Sequence, residues 1–132
     1  MALRDYSEDD DFYTQDFERP GVVSIWVGTS PASIDQRSAD VLQDLCGVGY
    51  YDLDNQEANS SSPALADLGR LLEAISYSAS FRAAAQARAE ALGVGQACWV
   101  TVLFDFAYAP ELVSRPVARD PIFLGVFSYS ED

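Results

Sequence analysis

Apolar residues recur along this chain with two different periods, and the switches between them mark its elements. Behind Pro20-Gly21, residues 22–28 (VVSIWVG) are an almost continuous apolar run closed by Gly28, which predicts a buried strand. Over 33–46 the period becomes helical. Ile34, Val41, Leu42 and Leu45 form the stripe, Ser33 and Gln36 a capping box, and Gly47 the stop. Residues 48–57 (VGYYDLDNQE) add at most a short strand before a polar loop at 58–62 (ANSSS). Ser62 and Pro63 then open a second helix over 63–76, with Leu65, Leu68, Leu72 and Ile75 on one side. Ser80 caps a third helix over 81–92, which turns Phe81, Ala85 and Leu92 inward and ends at Gly93. Residues 97–106 (ACWVTVLFDF) carry the strongest strand signal, and 107–121, with three prolines, reads as a loop. Residues 122–129 (IFLGVFSY) form a last strand in which Gly125 marks a bulge or a close backbone contact.

The order strand, helix, helix, helix, strand, strand predicts an α+β fold: a small, mostly antiparallel sheet with helices packed on one face. Residues 97–106 are expected at the centre, paired to 122–129. A chain of 132 residues, 48% hydrophobic, supports one domain with a real core. That domain is placed over 21–132, behind an acidic arm at 1–20. The arm interleaves Tyr6, Phe12, Tyr13 and Phe17 with its acids and has no clean period. It is either a segment that orders on contact or a loose terminus with one or two aromatics resting on the core, and the second reading is the plainer.

Charge changes the picture more than length does. The formal net charge is −13, and most of it sits in two blocks. Residues 1–18 carry seven acids against Arg4, and 35–57 carry Asp35, Asp40, Asp44, Asp52, Asp54 and Glu57 against Arg37. Acidity concentrated in this way attracts cationic partners, whereas a nucleic-acid or membrane surface repels it. The longest apolar stretch, 97–104, is far too short to span a bilayer, and the acidic N-terminus shows no signal-peptide pattern. A cytoplasmic location is expected. Cys46 and Cys98 form no CxxC pair and read as small buried residues in a reducing compartment.

The catalytic repertoire is narrow. The chain has no His and no Lys, which excludes His-based triads, Schiff-base chemistry and P-loops. Asp52-x-Asp54-x-x-Glu57 suggests a calcium loop, but Glu57 and Pro63 stand where an EF-hand needs Gly and Glu. A magnesium site of two or three carboxylates is the metal reading left, and nothing in the spacing selects it. Paired carboxylates also serve glycoside hydrolysis, but a chain this small leaves little room for a sugar cleft. The plain reading of Asp52, Asp54 and Glu57 is a turn, and that of Trp26 and Trp99 is core. No catalytic residue, metal ligand or cofactor is assigned.

Four segments in order, VSIWVG at 23–28, YYDLDNQE at 50–57, WVTVLFDFAY at 99–108 and FLGVFSY at 123–129, resemble the immunity protein 22 family of bacterial polymorphic toxin systems. The resemblance runs over roughly 22–129 and leaves the arm outside. It implies an α+β cytoplasmic antidote that binds and blocks a toxin domain made by its own cell or a sibling, without catalysis or cofactor. It does not identify the toxin. The residues fit such a role independently. Nuclease toxins handle phosphates with basic sites, which an acidic surface can plug, and opposite charges speed association. The expected contact surface joins the solvent side of the 33–46 helix to the 50–57 segment. Asp40, Asp44, Asp52, Asp54 and Glu57 supply potential there, and Tyr50 and Tyr51 supply buried area. The alternatives are a general acidic interaction module or nucleic-acid mimic acting on a basic regulatory protein, and a carboxylate-metal hydrolase.

Overall fold

The computed structural model describes residues 15–29, 41–61, 64–114 and 117–130, the side chain of Asp44 excepted. Among them, β1 (Glu18–Gly28), β2 (Gln56–Ser60), β5 (Trp99–Phe106) and β6 (Ile122–Ser128) form one sheet in the order β2-β5-β1-β6, every pair antiparallel. Ala66–Asp67 (β3) and Gln96–Ala97 (β4) make a separate antiparallel pair. The helices are α1 (Val41–Cys46), α2 (Leu68–Leu72) and α3 (Arg82–Leu92). The fold is α+β.

The two central strands are buried on both faces, which is why they read as near-continuous apolar runs. Val23, Ile25 and Val27 of β1, with Val100, Val102 and Phe104 of β5, pack under α2 and α3. Trp26, Leu103 and Phe106 face the other way, onto Leu42 and Cys46 of α1 and onto Phe17, Val48 and Tyr108. Thus α2 and α3 share one face, while the short α1 and the loops cover the other. Two glycines fit this packing. A Cβ on Gly28 would come within 1.9 Å of the Trp99 ring, so the indole lies directly on bare backbone. Gly125 has φ +147° where the register shifts: Ile25 pairs with Gly125 but Trp26 pairs with Phe123. Leu124 is the extra residue of the bulge that the sequence anticipates.

Several expectations are corrected. β1 lies between β5 and β6, so 97–106 does not pair with 122–129. A connection as long as 107–121 imposes no hairpin and lets the chain cross to the far side of β1. β1 starts at Glu18 and runs through Pro20-Gly21. The irregularity there is absorbed by Asp105 at φ 58°, whose Oδ1 accepts hydrogen bonds from Gly21 N (2.9 Å) and Tyr129 Oη (2.7 Å). The strand expected at 97–106 breaks at Cys98, because Ala97 pairs with Ala66 instead. The 58–62 loop is strand as far as Ser60. α2 is shorter than the predicted 63–76 helix: its first turns are replaced by β3, and Leu65 is left exposed. Ser80 does not cap α3, since Phe81 holds that position and Ser80 Oγ accepts from Ser130 N at 2.9 Å. Leu92 is exposed, whereas Gly93 ends the helix at φ 77° as expected. The Ser33–Gln36 capping box, Ile34, Asp40, the Ser62–Pro63 helix start and the aromatics Tyr6, Phe12 and Tyr13 lie outside the described residues.

Candidate functional site

The segment after α1 is fixed before it reaches its acidic residues. Leu42 and Cys46 anchor α1 in the core. Gly47 takes the left-handed conformation (φ 72°) that ends the helix, and Val48 N donates to Leu42 O at 3.0 Å. The Gln15 side chain then clamps the turn from both sides: Nε2 donates to Gly47 O (2.9 Å) and Oε1 accepts from Gly49 N (2.6 Å). Gln43 Nε2 adds a bond to Gly49 O at 3.0 Å. Residues 15–20 are thus built onto the domain, with Phe17 buried against Phe106 and Tyr108.

Beyond Gly49 the chain comes to the surface. Tyr50 is 54% exposed, while Tyr51 packs partly into the aromatic face and its Oη lies 3.4 Å from Gln56 Oε1. Asp52 makes the turn: its Oδ1 accepts from Asp54 N at 3.0 Å and its carbonyl accepts from Asn55 N at 3.0 Å. A single 3-10 turn, Leu53–Asn55, follows and delivers the chain into β2. Asp52 and Asp54 remain exposed. Glu57 is half-buried and accepts from Ser76 N at 2.9 Å, tying β2 to the turn after α2.

Of the seven residues expected at the contact surface, Tyr50, Tyr51, Asp52, Asp54 and Glu57 are gathered on this one segment. Asp40 and the side chain of Asp44 lie outside the described residues. Asp52 does what the plain reading of a turn expects, and Glu57 is a tie as well as a charge. The residue that sequence reasoning missed is Leu53, 68% exposed between the two aspartates. Its signal was available: an apolar residue flanked by acids and turn formers belongs to neither a helical nor a strand period.

The arrangement presents negative charge and exposed apolar area on a braced turn. Among the described residues, no cation stands within ion-pair distance of Asp52, Asp54 or Glu57, and no group of three His, Cys, Asp or Glu side chains could hold a metal ion. No helix among them is long and apolar enough to cross a membrane. A family model described as immunity protein 22 matches residues 35–130, a span that contains the whole acidic segment and leaves the Trp26–Gly28 strand before it. No curated protein and no solved structure matches the chain.

Proposed function

Because the chain belongs to the immunity protein 22 family, we propose that it is a stoichiometric antidote that binds a cognate bacterial toxin domain and blocks it, without catalysis of its own. The reading is carried by one observation: Asp52, Leu53 and Asp54 lie exposed on one turn anchored before and after it, with Tyr50 exposed beside them. Two carboxylates with no cation in ion-pair distance among the described residues, on either side of the exposed Leu53, suit a basic, phosphate-handling site of the nuclease type. The charge steers the encounter, and Leu53 and Tyr50 supply area to desolvate. The contact surface is Asp40, Asp44, Tyr50, Tyr51, Asp52, Asp54 and Glu57, extended by Leu53. The setting is the cytoplasm of a bacterium carrying a polymorphic toxin system.

Co-expression with a toxin domain encoded by a neighbouring gene tests the reading. The wild-type chain is expected to restore growth, and an unrelated acidic protein is not. The double variant Asp52→Lys/Asp54→Lys is expected to fold normally and to lose protection. Full protection by that variant would remove the acidic turn from the account.

A further inference from the structure

The sheet has two edges, and they are finished differently. β6 is bulged at Leu124, and Arg88 Nε on α3 donates to the Leu124 carbonyl at 3.2 Å. A bulge and a covering charged side chain are both ways of blunting an edge. β2 has neither. Gln56–Ser60 contains no proline and no basic residue, and it pairs with β5 in one unbroken register. That register decides which backbone groups are left over. Ser61 N donates to Cys98 O at 2.7 Å, so by alternation Asn59 and Glu57 also turn their N–H and C=O toward β5. Ala58 then turns both of its groups away from β5, where no described strand meets them, and its side chain is exposed; the next outward N–H, that of Ser60, is taken by Asn59 Oδ1 at 3.0 Å.

The open edge is shaped at both ends. On the α2 side it borders a groove of about 690 Å³ lined by Asn59, Ser60, Leu65, Arg70, Leu71 and Glu73, of which Leu71 is buried. Leu65 is 55% exposed there, an apolar side chain with little to cover it. At the other end, β2 continues directly from the turn of Asp52 and Asp54. Strand addition uses an edge for main-chain bonds and a pocket beside it for side chains; here the groove offers Leu65 and Leu71 among polar neighbours, and the acidic turn adds negative potential.

We propose that β2 receives an extended segment of the toxin as an added strand, bonded to the N–H and C=O of Ala58. An apolar side chain of that segment enters the groove beside Leu65, and a basic one lies next to Asp54. The inference rests on the antidote reading above and gives it a binding mode. Charge selects the occupant: with a net charge of −13, a second copy is repelled and a cationic partner is drawn in.

The test uses the full chain and an inactivated form of the toxin domain that it protects against in the co-expression experiment. Ala58→Pro removes the open N–H while leaving the β5 ladder untouched, a substitution that edge strands accept. It is expected to weaken binding by about tenfold or more, with an unchanged melting temperature, while Ala58→Thr binds as wild type. In the wild-type complex, amide exchange at Ala58 is expected to slow at least tenfold, a readout that stands even if the proline variant folds poorly. Wild-type binding by a folded Ala58→Pro, or unchanged exchange at Ala58 in the complex, would overturn strand addition. So would a wild-type dimer that Ala58→Pro dissolves, since the occupant would then be a second copy. If the wild type binds and only Asp52→Lys/Asp54→Lys fails, the antidote reading stands and strand addition falls. If the wild type itself does not bind, the antidote reading fails first and takes this proposal with it.

Discussion

The two faces of the central sheet are built by different means. Under α2 and α3 the packing is mainly aliphatic and regular, with Val23, Ile25, Val100 and Val102 against Leu68, Leu72, Ala85 and Ala89. Under α1 it is aromatic and assembled from pieces distant in sequence. Trp26 and Tyr108 have ring centroids 5.0 Å apart, Tyr108 and Phe123 4.7 Å, and Phe17 and Phe106 5.5 Å. Helices satisfy their own backbone groups, whereas buried loop backbone needs partners from elsewhere. The aromatic face accordingly carries the polar hooks: Tyr108 Oη to Cys46 O, Tyr108 N to Ser24 Oγ, and the Gln15 clamp on Gly47 and Gly49. The acidic turn hangs from this face through Val48 and Tyr51. Its upstream anchorage is therefore supplied by the aromatic layer more than by the helical one.

The sharpest way to separate the layers is to damage each in turn. Trp26→Ala opens a cavity at the centre of the aromatic face and is expected to cost about 3–5 kcal/mol, read by denaturant unfolding. It should also speed amide exchange at Asp54. Leu72→Ala on the helical face is expected to cost about 2–5 kcal/mol and to leave exchange at Asp54 unchanged relative to its own global stability. Equal loosening of the turn by both would dissolve the distinction.

A single hook can be cut more gently. Tyr108→Phe removes the donor to the buried Cys46 carbonyl and is expected to cost about 1–3 kcal/mol. Burial first, and then the neighbouring Cys46 and Glu111, pushes the Tyr108 phenol far above its ordinary value of 10.0. The folded state therefore holds the neutral form. Its contribution is complete below the unfolded value of about 10 and is lost as pH rises above it toward the folded value. Melting temperature followed from pH 8 to 11 should fall at the alkaline end, and Tyr108→Phe should flatten that fall.

The legibility of these regions in the sequence followed the same division. α3 could be read because its period and its Gly93 stop are local, and β1 and β5 because burial on both faces leaves no polar alternation. The placing of β1 between β5 and β6 could not be read, since a long connection sets no register. α2 was overestimated because Leu65 fits the helical stripe, while the β3–β4 pairing that claims Ala66 and Asp67 depends on residues about 30 positions away. In the site, Asp52 and Asp54 were visible as turn-forming acids. The bond from Ser76 N to Glu57 spans 19 positions and has no sequence mark.

That bond supplies the smallest expected effect. Glu57→Gln keeps an acceptor for Ser76 N and should stay within about 0.5 kcal/mol of wild type, whereas Glu57→Ala should lose about 0.5–1.5 kcal/mol. With stability matched in this way, any slowing of toxin association by Glu57→Gln reports its charge alone.

The central claim is that the acidic turn draws in a basic toxin, and the association rate as a function of salt tests it most directly. Stopped-flow measurement with the cognate toxin domain should show the wild-type rate falling steeply as ionic strength rises. For Asp52→Lys/Asp54→Lys it should show a slower rate with a flattened dependence. A wild-type rate that does not respond to salt, or a double variant that associates as fast as wild type at low salt, would contradict the account.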